Sequence, residues 1–249
     1  MLRRITLGLV LLGSPAAAQT WHASYVFTVA GVTVMESQVD LIPGRPGAGY
    51  AIETRTRGRG VASLIFRGEQ VSRSEGIWRG AVPVPRLHRS SGNWRGSVRR
   101  TALEYSATGV PRVVTLEPAQ DMERTPIPAE ALPGSLDALS ALLQLSRQVR
   151  DTGRCDARAQ IYDGRRLTAL ELTTDPERDP EGGGLPTCVI ESRLVAGIPV
   201  ERSDDARPMR SVIHFGLPAA DGPALPLRIE LASRWWGTIQ VALTALTRD

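Results

Sequence analysis

The sequence predicts a single, mainly β domain organised around one long α-helix, and three observations carry that expectation. Strand-length segments with period-two alternation recur along almost the whole chain, separated by turns rich in Gly, Pro and Asp. One segment, residues 133–150 (PGSLDALSALLQLSRQVR), instead carries the 3.6-residue period of an amphipathic helix. No stretch of disordered composition divides the 249 residues, and no internal repeat is visible, so one domain of about a dozen strands is expected.

The chain opens with Arg3 and Arg4, an apolar run over 5–12, and then Gly13-Ser14-Pro15-Ala16-Ala17-Ala18. A basic start, a short apolar core and an A-x-A ending describe a secretory leader cleaved after Ala18, leaving 19–249 as the domain. The run is too short for a permanent anchor, and no cysteine follows the cleavage site to carry a lipid. The mature protein is therefore expected to be exported and soluble. Formal charge falls from +4 to +2 once Arg3 and Arg4 are removed, so no nucleic-acid partner is implied. Every basic side chain other than histidine is an arginine, and the Arg57-Gly58-Arg59-Gly60 run is only superficially like an RNA-binding repeat.

Strands are expected over 21–30, 32–42 and 50–57, while 61–66 is ambiguous between a short helix and a strand. Residues 69–77 and 83–90 are strand-like but polar, as suits a sheet with one solvated face. Thr108-Gly109 joins 98–106 to 110–117 as a hairpin, and 118–133, with four prolines, reads as an extended connection. After the helix, Asp163-Gly164 makes a hairpin of 156–162 and 165–173, followed by a loop over 174–186 and a strand over 187–195. Strands over 210–215, 225–231 and 238–243 close the chain, with Leu225, Leu227, Ile229 and Leu231 alternating cleanly and Arg234-Trp235-Trp236-Gly237 as a turn.

The helix is expected over 135–151. Steps of about 100° place Leu136, Leu139, Leu142, Leu143, Leu145 and Val149 on one arc, opposite Asp137, Ser140, Gln144, Arg147 and Gln148. Ser135 reads as the N-cap, Asp137 as first-turn negative charge, and Gly153 as the stop. The apolar arc suits covering a concave surface of the same protein. Leu136, Leu139, Leu142 and Leu143 are accordingly the residues expected to face either the core or a bound ligand.

Two cysteines in an oxidising compartment are expected to form a disulfide, Cys155–Cys188. The first and third strands of a simple meander lie about 10 Å apart, whereas a disulfide needs Cα atoms within about 7 Å. The two cysteines must therefore sit at strand ends where the chain bends, or the strand order is not a simple meander.

Residues that could carry chemistry are sparse. His22, His88 and His214 belong to no motif and read as surface or packing residues. There is no G-x-S-x-G, no H-E-x-x-H, and no phosphate loop, which a chain without lysine cannot make. Asp175, Glu177, Asp179 and Glu181 are spaced as in a calcium loop, but Pro180 and Pro186 stand where that motif needs glycine and glutamate, so a solvated loop is expected. Trp78, Trp94, Trp235 and Trp236 read as packing or strand-edge residues, or as the lining of an apolar cavity. No catalytic, metal or cofactor site is expected.

Taken in order, WHASYVFTVAGVTVMESQVDL, the 133–150 helix with Asp137-Ala138-Leu139-Ser140, Asp163-Gly164 within YDGRRLTALEL, and LPLRIELASRWWGTIQVALT resemble the bacterial periplasmic family catalogued as domain of unknown function 3108. The resemblance covers nearly the whole chain after the leader. It implies kinship with the LolA/LolB lipoprotein carriers, and hence an antiparallel spiral or incomplete β-barrel wrapped around the helix. It brings no catalytic residues. The function expected is that of a non-enzymatic, monomeric periplasmic protein supporting the cell envelope and binding a lipid or other apolar ligand in the concave face. The alternatives are a scaffold binding an envelope protein through a sheet edge and, behind it, a hydrolase.

Overall fold

The computed structural model describes residues 19–64, 67–94, 96–119, 122–175, 185–233 and 237–249. The expected leader, most of the 174–186 loop with its acidic run, and Trp235 and Trp236 lie outside the described residues. Seven strands come first: β1 (Trp21–Val29), β2 (Val32–Ile42), β3 (Gly49–Gly58), β4 (Glu69–Arg79), β5 (Val82–Trp94), β6 (Ser97–Tyr105) and β7 (Pro111–Glu117). The helix α1 (Ala138–Thr152) follows. Six more strands complete the sheet: β8 (Ala157–Tyr162), β9 (Leu167–Thr174), β10 (Thr187–Ala196), β11 (Met209–Gly216), β12 (Leu225–Ser233) and β13 (Gly237–Arg248). The ambiguous stretch near residue 61 is a short 3-10 turn, Gly60–Leu64.

All thirteen strands form one antiparallel sheet in the order β7-β6-β5-β4-β3-β2-β1-β13-β12-β11-β10-β9-β8. Two meanders are thus joined where the first strand pairs with the last, from Trp21 opposite Arg248 to Val29 opposite Ile239. The segment from β7 to β8, which contains α1, connects the two outermost strands.

The sheet curls until those outer strands approach. Leu103 on β6 packs in one buried cluster with Tyr162, Leu167 and Ala196 from β8, β9 and β10, a contact that a flat sheet of this order forbids. Arg165 donates to the carbonyl of Pro118 across the same gap. Among the described residues β7 and β8 share no ladder, so the barrel is incomplete and its seam is closed by side chains. Register shifts at Ser24/Tyr25, Phe27/Thr28 and Glu75/Gly76 mark bulges of the kind that bend strands into such a curve. A Cβ at Gly76 would lie 2.6 Å from the Tyr50 hydroxyl, so glycine is required where that ring crosses β4. A further shift between His214 and Phe215 leaves Leu227 as an extra residue on β12, which turns it outward and breaks the expected alternation there.

The helix begins later than its sequence pattern suggests. Leu136 is drawn onto the edge of β8, its N–H donating to the Gln160 carbonyl at 2.9 Å and its carbonyl accepting from Tyr162 N–H at 2.8 Å. That pairing holds Leu136 extended, so Asp137 rather than Ser135 is the N-cap, accepting from the N–H groups of Leu139 and Ser140. Ser135 instead donates to the Leu132 carbonyl at 2.7 Å. Gly153 ends the helix in the left-handed conformation, φ 66°, with its N–H bonded to the Val149 carbonyl.

Inside the curl, Leu143 packs with Trp21, Tyr50, Ile52, Trp78, Leu225 and Val241, with Leu139 half-buried beside them. Leu145 and Val149 pack with Ile213, Phe215 and the Cys155–Cys188 disulfide, whose Cα atoms are 5.6 Å apart. The strands β8, β9 and β10 do form a simple meander. The bridge is possible because Cys155 lies before β8 and Cys188 near the start of β10, both beside Thr174 where β9 ends. Closing a loop of 33 residues stabilises the fold by about 3–4 kcal/mol in the chain-entropy account.

Replacing Leu143 by Ala should lower the unfolding free energy by about 2–5 kcal/mol in urea denaturation, because the side chain is 3% exposed and packs in the core cluster. A loss under about 0.5 kcal/mol would show that the site is not core. Cys155→Ser should lower the melting temperature of oxidised protein and leave the melt of reduced protein at the wild-type reduced value. An unchanged oxidised melt would count against the bridge.

Candidate functional site

Asp137 is 1% exposed, and both oxygens of its carboxylate accept hydrogen bonds. Oδ1 accepts from the N–H groups of Leu139 at 3.0 Å and Ser140 at 2.9 Å and from Ser74 Oγ–H at 2.5 Å; Oδ2 accepts from Ser140 Oγ–H at 2.6 Å. Since the Ser74 hydroxyl proton goes to Asp137, its oxygen accepts from His88 Nδ1–H at 2.8 Å. By the same reasoning the Tyr50 hydroxyl donates to Ser140 Oγ at 2.9 Å. One network therefore ties the first turn of α1 to β3, β4 and β5. Asp137 and Ser140, placed opposite the apolar arc by their spacing, are thus buried, and His88, read from sequence as a surface or packing residue, is buried beside them.

A serine, a histidine and an aspartate in contact invite comparison with a hydrolytic triad. In a triad the imidazole bridges the pair, with Nδ1 toward the acid and Nε2 toward the serine. Here Ser74 Oγ and Asp137 Oδ1 both lie on the Nδ1 side of His88, at 2.8 and 3.5 Å, and the Ser74 proton is committed to the carboxylate. Ser74 is 0% exposed. The cluster positions a helix and has no nucleophile to offer. Burial alone would raise the Asp137 carboxyl's pKa, but His88 and the hydroxyls of Ser140 and Ser74 outweigh it and hold the carboxyl below the ordinary carboxylate range.

Two cavities flank α1 on opposite sides. The smaller, about 180 Å³, lies between Ala138, Ala141, Leu142 and Leu145 on one flank of the helix and Leu170, Leu172, Ile190 and Ile213 on the sheet, with Gln144, Gln148 and Arg158 at its opening. The larger, about 790 Å³, is a mouth between Leu143, Ser146, Arg147 and Arg150 on the opposite flank, the β2–β3 turn, and the segment before β12. The four leucines singled out in sequence consequently have different fates. Leu136 pairs with β8, Leu139 and Leu143 pack against the sheet, and Leu142 borders the smaller cavity. Trp78 is a core residue, its Nε1–H donating to the Pro43 carbonyl at 2.7 Å and its ring 5.4 Å from that of Tyr50. His22 lies at the surface between Asp40 and Asp249, and His214 beside Thr187. Among the described residues no group of three or more His, Cys, Asp or Glu is placed to hold a metal, and no helix is long and apolar enough to cross a membrane.

Sequence reasoning missed Tyr50, Ser74 and His88 because they come from three strands with no shared motif. An aspartate three residues before Ser140, at the start of an apolar helical run, was the one local sign, since such spacing suits an N-cap.

The family model described as "Protein of unknown function (DUF3108)" matches residues 20–178, more than half of the chain. No curated protein matches. A solved structure of a β-barrel-like protein of domain of unknown function DUF1849 from Brucella abortus is similar at 10% identity and a TM-score of 0.45, over 93% of this chain and 98% of that one. A "putative outer membrane lipoprotein-sorting protein domain" from Vibrio parahaemolyticus is similar at 8% identity and a TM-score of 0.31, over 93% of this chain and 86% of that one. Neither is close enough to carry an argument about this chain.

Asp137→Asn should cost at least about 2 kcal/mol at neutral pH, since it removes charge-assisted bonds to both hydroxyls and turns one acceptor into a donor. Because the folded carboxyl titrates lower than the unfolded one, the unfolded chain takes up the proton first. Stability from this group is present above about pH 4 and is lost as pH falls from there through the folded value. Urea denaturation across that range should show a smaller acid loss in the variant, and an identical slope would contradict the assignment.

Proposed function

The chain belongs to the DUF3108 family, and we propose that it is a non-catalytic, exported protein of the cell envelope that binds an apolar group in the concave face of its barrel. The observation that carries this reading is Leu142. Leu143, Leu145 and Val149 of the helix's apolar arc are buried, whereas Leu142 is half-buried and, with Ala138 and Ala141, borders a cavity walled by aliphatic side chains. An apolar space of about 180 Å³ is close to the size at which engineered protein cavities take up a small ring, and its opening leaves room for the rest of a longer molecule to extend outward. A tail or ring of a lipid-like molecule fits it; a whole two-chain lipid does not. The triad composition without triad wiring at Asp137 supports the absence of catalysis. The disulfide supports an oxidising location, and residues 1–18 supply a leader's composition.

A second reading, a scaffold for an envelope protein, has one observation in its favour. β7 pairs with β6 on one side, and among the described residues no strand pairs with its other side, which leaves a ladder that an extended segment could extend.

Solvent extraction of protein purified from its native host, followed by mass spectrometry, should recover a lipid-like molecule in stoichiometric amount. Leu142→Trp, which fills the cavity, should abolish its recovery while leaving the melting temperature within a few degrees. Protein that emerges clean and shows no saturable uptake of an apolar probe would remove the ligand reading, and a defined crosslinked partner at β7 would then favour the scaffold.

A further inference from the structure

The mouth on the other flank of α1 has a chemistry of its own. Its volume, about 790 Å³, falls in the range of small-molecule sites, and Pro43, Leu143, Pro223 and Ala224 give it an apolar wall. Arginines stand over both of its tryptophans. The Arg147 guanidinium lies 4.5 Å from the Trp78 ring centroid, and the Arg248 guanidinium 5.5 Å from that of Trp21. Trp78 is itself fixed, by its indole bond to Pro43, its backbone bond to Ala48 at 3.0 Å, and the Gly47 N–H on its carbonyl at 3.1 Å. A guanidinium laid on a fixed indole is pre-oriented and still presents N–H donors in its plane.

The acids of the mouth do not use these donors up. Asp221 is engaged by Arg248, and Asp249 by His22 at 3.1 Å. Arg147 has one long contact with Asp151 at 3.5 Å, and Arg150 donates to the neutral carbonyls of Gly222 and Ala220. Arg45, exposed on the rim in the β2–β3 turn, makes no side-chain hydrogen bond or ion pair to any described residue.

From this arrangement we propose that the mouth binds an anionic amphiphile. Its phosphate or carboxylate head sits between Arg45 and Arg147, and its apolar part lies along Leu143 and Pro223. An oxyanion takes in-plane N–H donors from two guanidinium groups there, the geometry for which arginine is the fitted side chain. The site lies across the helix from the apolar cavity and does not depend on it.

The test is titration of the full chain, followed by tryptophan fluorescence and calorimetry, with dodecyl phosphate, dodecanoate, dodecyltrimethylammonium and inorganic phosphate, each below its micelle concentration. At least one of the two anionic amphiphiles should bind about tenfold or more tighter than the cationic one, and the tighter of the two identifies the head group. Arg45→Gln with Arg147→Gln should weaken that binding about tenfold, Arg45→Gln alone by a lesser factor, and Leu142→Trp should leave it within about twofold. Arg45 is exposed, so its single variant decides the matter if the double variant fails to fold. Equal binding of the cationic amphiphile, equally tight binding of inorganic phosphate alone, or unchanged affinity in Arg45→Gln would each overturn the proposal.

Discussion

A charged carboxylate taken out of water needs hydrogen-bond donors in place of it, and the arrangement of this protein turns on how they are supplied to Asp137. Two of its partners are backbone N–H groups of the turn it caps, and the others are hydroxyls of Ser140 and Ser74, the latter backed by His88. The helix can satisfy the first pair alone. Ser74 and His88 sit directly opposite each other on β4 and β5, so they are available only when those strands have the observed register and curl toward the helix. The carboxylate thereby couples the position of α1 to the shape of the sheet.

The coupling explains why the barrel can stay incomplete. Thirteen strands enclose more width than one helix can fill, and contacts concentrate along Leu143 on one line and Leu145 with Val149 on another. The unfilled remainder is divided by the helix into two spaces, one aliphatic and one rimmed by arginine. The disulfide holds the far end of the helix against the β8–β10 wall, and Leu136 holds the near end on the β8 edge, so both spaces have rigid borders. Rigid borders favour binding, because little order must be gained when a ligand arrives.

Much of this architecture was legible in the sequence. Local alternation and turn chemistry placed nearly every strand, with β2 expected and found over the same residues, and Thr108-Gly109 found between β6 and β7. What misled was tertiary. Leu227 belongs to a faultless alternating run, yet a bulge opposite Phe215 turns it to solvent. Ser135 is as good a cap as Asp137 by local preference, and only the pull of the β8 edge on Leu136 decides between them. At the candidate sites the limit was sharper still. The polar network and the arginine-lined mouth draw residues from elements far apart in the chain, so composition revealed their parts but not their assembly.

The helix α1 is an integral part of the barrel, locked by Asp137, rather than a lid lying on it. Native-state hydrogen exchange of the Leu139, Ser140 and Leu143 amides measures this directly. They should exchange only through global unfolding, with the same free energy as the amides of β1 and β13. Exchange of these amides through local opening, at a free energy several kcal/mol below that of the central strands, would contradict it.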